Sequence, residues 1–289
     1  MTLKATLTAA FPEARRISNF LERDYADSGV VVSLDERPDG SWSVDAYFEE
    51  GDADDIAGRI RDGLGSDAFG ALSGVEGLPE TDWVRAGLQS LKPITAGQFL
   101  VHGSHDRALV APGRVAIEID AGLAFGTGHH ATTAGCLTVL DRLIRSRRFV
   151  RPLDIGTGSG VLAIALAKIL HRRVIATDID PIAIEVAREN AVRNRVGTWI
   201  DAVVADGVRN ATIRKHAPYD LVVANILAEP LCRLAPRLSP LVARGAMLIL
   251  SGLLPAQREK VVAAYAAQGV RLTTARIFEG WSVLVLQKP

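Results

Sequence analysis

The apolar positions keep two rhythms along the chain. Over residues 14–25, Ile17, Phe20 and Leu21 stand at i, i+3 and i+4, which is one face of a helix. Val30–Leu34 is short and β-branched, as strands are. After the turn residues Pro38-Asp39-Gly40, Trp42, Val44, Ala46 and Phe48 alternate with more polar neighbours, so the two runs predict a β-hairpin. Asp54 and Asp55 then open a helix through Ile56, Ile60 and Leu64, with acids at its positive end. Strand, helix, hairpin and helix is the order of a ferredoxin-like α+β module, placed at residues 1–65. Residues 66–94 read as a linker. Its first part, 66–80, is rich in glycine and small residues, and Thr81-Asp82 starts a short helix that stops near Pro93.

From Leu153 the rhythm becomes strand–helix alternation. Leu153–Ile155, Val174–Thr177, Ala202–Ala205, Asp220–Ala224 and Ala246–Leu250 are short apolar strands. Helices at Val161–Leu170 and Ile182–Arg193 separate the first three. Near-continuous apolar strands between helices predict an α/β domain whose parallel sheet is covered on both faces. The tail departs from this: Val270–Phe278 and Trp281–Leu286 flank Glu279-Gly280 as an antiparallel hairpin. This second domain is placed at residues 95–289.

Composition narrows the class. The 289 residues are 48 % hydrophobic and 23 % charged, with formal net charge zero. That is ordinary globular usage and excludes a disordered or collagen-like chain. Cys136 and Cys232 are too few for a disulfide framework and lack a metal spacing, which fits a reducing compartment. No apolar run reaches signal-peptide or membrane-spanning length. The expectation is a cytoplasmic protein with no membrane and no metal. Charge is unevenly spread: residues 1–80 hold 7 Lys and Arg against 17 Asp and Glu, a net of −10, and the remainder holds 26 against 16, a net of +10. An acidic module suits a basic partner rather than a phosphate backbone.

Four motifs carry chemistry. Asp154-Ile155-Gly156-Thr157-Gly158-Ser159-Gly160 lies between a strand and a helix. Glycines such as Gly156 and Gly158 let backbone approach a ligand, and the next helix aims its N–H groups there. Asp178 ends the following strand, where a carboxylate can accept hydrogen bonds from ribose hydroxyls. The glycines alternate rather than follow the dinucleotide spacing G-x-G-x-x-G. A carboxylate at Asp154 would repel a pyrophosphate and favour the ammonium and sulfonium of S-adenosylmethionine, directly or through water. An oxidoreductase using a nicotinamide dinucleotide is disfavoured on both counts. Asn225 directly follows an apolar strand in Val223-Ala224-Asn225-Ile226-Leu227. Its amide carbonyl can hold an amine for alkylation, and the competing reading is an Asx turn or helix cap. Asp206, ending the third strand, can meet an adenine amine or serve as a turn residue. The run from Gly122 to Thr133, which includes Gly126, Gly128, His129 and His130, is a flexible, donor-rich loop ahead of a helix and reads as a lid.

Together these motifs resemble the ribosomal protein L11 methyltransferases, the PrmA family. The segments GLAFGTGHHATT, LDIGTGSGVLAIA with ATDIDPIAIEVARENA, VVANILAEPL and LILSGLL carry the resemblance. It implies a seven-stranded Rossmann-like methyltransferase sheet behind a small ferredoxin-like domain. It implies cofactor contacts at Thr133, Gly156, Asp178 and Asn225, with Gly158 and Asp206 in the same pocket. Asn225 would also orient the acceptor amine, and the acceptors would be the α-amine and lysines of a basic ribosomal protein gripped by the N-terminal module. No direct nucleic-acid contact is expected. The chain departs from the family at His129, His130 and Ala131 in the lid, at Ala121 before it, and at Leu91-Lys92-Pro93 after Trp83. Two other readings are a lysine methyltransferase for a different protein and a methyltransferase for exocyclic amines of nucleic acid. The latter lacks an aromatic after Asn225 to stack a flipped base. A non-catalytic binding module would not keep the glycine turn intact.

Overall fold

The structure is a computed structural model that describes residues 2–24, 30–37, 39–48, 52–64, 72–78, 93–119 and 131–289. The helix expected over 81–91, Trp83, most of the 122–133 loop with His129 and His130, and the start of the expected linker lie outside these residues. The chain divides into residues 1–86 and 87–289.

The first unit contains β1 (Thr2–Ala9), α1 (Phe11–Asp24), β2 (Val31–Glu36), β3 (Trp42–Phe48), α2 (Ala53–Leu64) and β4 (Leu72–Leu78). Its four strands pair antiparallel in the order β2-β3-β1-β4, the ferredoxin-like arrangement. Alternation explains the core: Leu3, Ala5 and Leu7 face the same way as Val44, Ala46 and Phe48, and all pack with Ile17, Leu21, Ile56 and Ile60 from the helices. Each large side chain removed from water here contributes about 1.5–3 kcal/mol. The linker expected at 66–94 is corrected in part. Residues 72–78 form the fourth strand, with Thr2 opposite Leu78 and Ala5 opposite Val75. Gly74 and Gly77 hide this strand from propensity, and pairing with β1 overrides it.

The second unit opens with a three-stranded sheet not anticipated from the pattern: β5 (Ile94–Ala96), β6 (Phe99–His102) and β7 (Val115–Glu118). There follow α3 (Ala131–Ser146), β8 (Pro152–Ile155), α4 (Val161–Leu170), β9 (Val174–Asp178), α5 (Pro181–Arg193), β10 (Ile200–Val204), α6 (Ala211–His216) and β11 (Tyr219–Asn225). The unit ends with α7 (Ala228–Leu238), β12 (Val242–Leu253), α8 (Arg258–Ala266), β13 (Arg271–Phe278) and β14 (Trp281–Gln287). Seven strands run in the order β10-β9-β8-β11-β12-β14-β13. All neighbours are parallel except those made by β14, which is antiparallel to β12 and β13. Apolar clusters cover both faces: Val223 and Ile249 belong to one, Val222 and Leu248 to the other. The order reverses between β8 and β11, so a crevice opens at the carboxyl ends of those strands.

Candidate functional site

The crevice is a cleft of ≈ 990 Å³ in the second unit. The turn after β8 forms its floor. Gly156 (φ +70°) and Thr157 both donate backbone N–H bonds to the Thr177 carbonyl, at 2.7 and 2.9 Å, which ties the turn to the end of β9. A Cβ at Gly156 would lie 2.1 Å from Ile226 Cγ2, and one at Gly252 (φ +85°) 2.4 Å from the Ile226 carbonyl oxygen. Ile226 is therefore held between two glycines, one after β8 and one within β12, and only residues without a side chain permit that approach. The buried Asn190 donates from Nδ2 to the Ser159 carbonyl at 2.9 Å and anchors α5 to the same turn.

Two carboxylates with different tasks flank the turn. Asp178, partly exposed, lines the cleft and accepts the Gly158 N–H at 2.9 Å and the Asp180 N–H at 3.1 Å. Asp154 is 0 % exposed, is not part of the cleft wall, and accepts the Thr157 hydroxyl at 2.7 Å. Burial pushes its carboxyl up to about 7, with the Thr157 hydrogen bond opposing and the Asp178 charge adding to the rise. Of the two routes expected for Asp154, direct or through water, the direct one is not open to a side chain outside the cleft wall; Asp154 braces the turn from behind.

Asn225 ends β11 at the cleft. Its Nδ2 donates to Thr132 Oγ at 3.3 Å and, more weakly, to Thr133 Oγ at 3.4 Å, both at the start of α3 and both buried. It caps no helix, since Leu227 is the N-cap of α7. The amide oxygen has no hydrogen-bond partner among the described residues, so the acceptor side of the amide is free. Asp206 sits on the rim, exposed, in a 3.3 Å ion pair with Arg209.

The structure therefore brings Thr133, Gly156, Gly158, Asp178, Asp206 and Asn225 to one cleft. Sequence reasoning overlooked Thr132, although the Thr-Thr doublet was in view. It also overlooked Ile179, 69 % exposed between Asp178 and Asp180, and Trp281 at the start of β14. An apolar residue left in water between two acids was the available signal for Ile179; nothing local points to Trp281. Cys136 is buried, which holds its thiol at about 12, so it is no nucleophile at neutral pH.

A family model described as ribosomal protein L11 methyltransferase (PrmA) matches residues 14–289. The chain belongs to this family. It is 48 % identical over 272 residues to the ribosomal protein L11 methyltransferase of Rhizobium etli, covering 93 % of this chain and 91 % of that protein. It is 45 % identical over 294 residues to that of Rhodopseudomonas palustris, covering 100 % and 99 %. The crystal structure of ribosomal protein L11 methylase from Lactobacillus delbrueckii subsp. bulgaricus is similar with TM-score 0.61 and 28 % identity, over 68 % of this chain and 98 % of that one.

As a member of the L11 methyltransferase family, the enzyme draws its methyl group from S-adenosylmethionine. The cleft fits that cofactor. Its floor is a turn without Cβ atoms at Gly156 and Gly158, Asp178 presents a carboxylate to the cavity, and the wall beside it is apolar at Ile155, Val161 and Ile179.

Proposed function

We propose that this chain methylates amino groups, the α-amine and lysine side chains, of ribosomal protein L11, with Asn225 orienting the acceptor nitrogen. The observation that carries the reading is the orientation of the Asn225 amide. Its NH₂ group is engaged by Thr132 and Thr133, and the residue lines the cleft, so its carbonyl is left as an acceptor for an incoming N–H. An amine held by one N–H keeps its lone pair free to point elsewhere, and alignment of that lone pair is the main lever on an alkylation rate.

The remaining roles follow from position. Gly156 and Gly158 give the cofactor a backbone surface, Asp178 accepts its ribose hydroxyls, and Asp206 meets the adenine edge from the rim. Thr133 steadies Asn225 and borders the cofactor. Bound S-adenosylmethionine supplies an electrophilic methyl on a positively charged sulfur. The acceptor must arrive as the neutral amine, which desolvation by the apolar walls favours. No buried base is needed in the cleft, since the proton leaves to water from the methylated ammonium.

The first unit is the substrate grip in this reading. Asp52, Asp54, Asp55 and Asp62 on and beside α2 are exposed, and the domain is acidic where ribosomal proteins are basic. No helix among the described residues is long and apolar enough to cross a membrane, and the cytoplasm is the proposed place of action. Mass spectrometry of ribosomal proteins from cells with and without this gene tests the proposal. L11 is expected to lose increments of one methyl mass when the gene is deleted; unchanged L11 would overturn the assignment.

A further inference from the structure

The parallel sheet has a second end. Every segment that enters a parallel strand from the side opposite the cleft arrives at one common edge. Before β8 this edge carries Arg148 and Arg151, before β9 Arg172 and Arg173, and before β11 Arg214 and Lys215, all exposed. These pairs are far apart in sequence and meet only because β9, β8 and β11 are neighbours in the sheet. Among the described residues, two acidic side chains beside these segments are already engaged. Asp201 pairs with Arg173 at 3.1 Å. Asp220 accepts the backbone N–H groups of Val150 at 2.7 Å and Arg151 at 2.9 Å. The guanidinium of Arg151 and the ammonium of Lys215 have no acidic partner among the described residues.

A cavity of ≈ 240 Å³ opens in the middle of this edge, and four of its lining residues are Arg151, Arg173, Lys215 and His216. Convergent cations around a concave site are what an oxyanion with several acceptor oxygens requires.

We infer that this edge is a docking surface for the phosphate backbone of double-helical RNA, with one phosphate seated in the cavity. Three features select this occupant. The cations come from the segments before three neighbouring strands, and Arg148, Arg172 and Arg214 lie beyond the cavity's own lining, more charge than one free phosphate would use. Among the described residues the cavity offers no open aromatic face for stacking single-stranded bases: Phe149 and Tyr219 are buried, and Trp199, which is partly exposed, is not one of the cavity's lining residues and packs edge-on with His171 at a ring distance of 5.7 Å. An anionic membrane would require apolar side chains to insert, and in these entering segments Val150 is the one exposed large aliphatic residue. The surface is at the end of the sheet opposite the cleft, so RNA bound there would leave the cofactor cleft open.

The test uses the full-length protein and a fluorescein-labelled RNA stem-loop, followed by anisotropy across a salt series. Binding is expected to weaken linearly in log–log form with salt. The double variant Arg151→Gln/Lys215→Gln is expected to bind about tenfold or more weakly at fixed salt, with the slope reduced by about 2. S-adenosylmethionine affinity, measured by calorimetry, should not change. If the first variant loses cofactor affinity through misfolding, Arg148→Gln/Arg172→Gln decides, with the same expectation. Absent or salt-insensitive RNA binding, or wild-type RNA affinity in a folded variant, overturns the inference. So does tighter binding to phosphatidylserine vesicles than to the RNA.

Discussion

The backbone N–H of Gly158 donates to the carboxylate of Asp178 at 2.9 Å, so the glycine turn after β8 and the end of β9 are clamped into one rigid rim. That bond uses one carboxylate oxygen and the Asp180 N–H uses the other, and each oxygen keeps a second lone pair with which to meet a ligand in the cleft. Asp178→Ala is expected to remove the ligand's hydrogen bonds and loosen the turn. At roughly 1.5–3 kcal/mol for each hydrogen bond to a charged group, S-adenosylmethionine affinity should fall at least tenfold. Calorimetry that finds unchanged affinity would take Asp178 out of the site.

Gly156 meets two independent constraints, a left-handed backbone and the side chain of Ile226. Gly156→Ala is expected to cost about 1–2 kcal/mol for the backbone alone, plus the displacement of Ile226. Adding Ile226→Ala should recover the steric part and leave the backbone part. Urea unfolding of the single and double variants measures both. Full recovery would show that the backbone conformation is not strained by a side chain.

Asn225→Ala removes the acceptor for the substrate amine while leaving the glycine turn and Asp178 in place. The methylation rate should drop by about 100-fold, with a smaller change in cofactor affinity. A variant that loses cofactor binding and keeps its rate at saturating cofactor would make Asn225 a binding residue alone.

Asp154 gives the fold a pH signature. Its carboxyl is held at about 7 in the folded chain against 3.8 as the unperturbed value, so the folded state keeps the proton longer. The unfolded state binds fewer protons between these values, and stability from this group falls as pH rises from about 4 to about 7. The full span is worth at most about 4 kcal/mol. Asp154→Asn keeps a partner for Thr157 and removes the ionisation. Its stability relative to wild type should rise between pH 5 and pH 8 in urea titrations. A constant difference would place the Asp154 carboxyl near its ordinary value.

The acidic helix α2 offers a probe of the substrate grip. Asp54→Lys/Asp55→Lys lies in the exposed first turn, away from the buried Ile56 and Ile60. KM for ribosomal protein L11 should rise several-fold and become less salt-dependent, with S-adenosylmethionine affinity unchanged. An unaltered KM would assign the grip to another surface.

Much of the second unit was legible because its strands are continuous apolar runs and its helices begin with local signals, such as Asp180 capping Pro181–Arg193. The glycine turn, Asp178 and Asn225 could be placed because each directly follows a strand end. What escaped depended on distant partners. β4 has two glycines and exists through its pairing with β1. Asp154 reads as a ligand-facing acid in the linear motif, and only packing shows it behind the turn. The net charge of +10 beyond residue 80 registers an excess of cations but not where they gather, because those of the basic edge come from three separate segments that the sheet order alone brings together.

Intact-mass spectrometry of purified, unmethylated ribosomal protein L11 after incubation with this enzyme and S-adenosylmethionine decides whether Asn225 presents L11 amines to the methyl donor. Stepwise gains of one methyl mass on L11 amines are expected, nearly abolished with Asn225→Ala. No gain on L11 with wild-type enzyme that binds S-adenosylmethionine in the cleft, or gain confined to L11 whose amines had been blocked by acetylation, would contradict it.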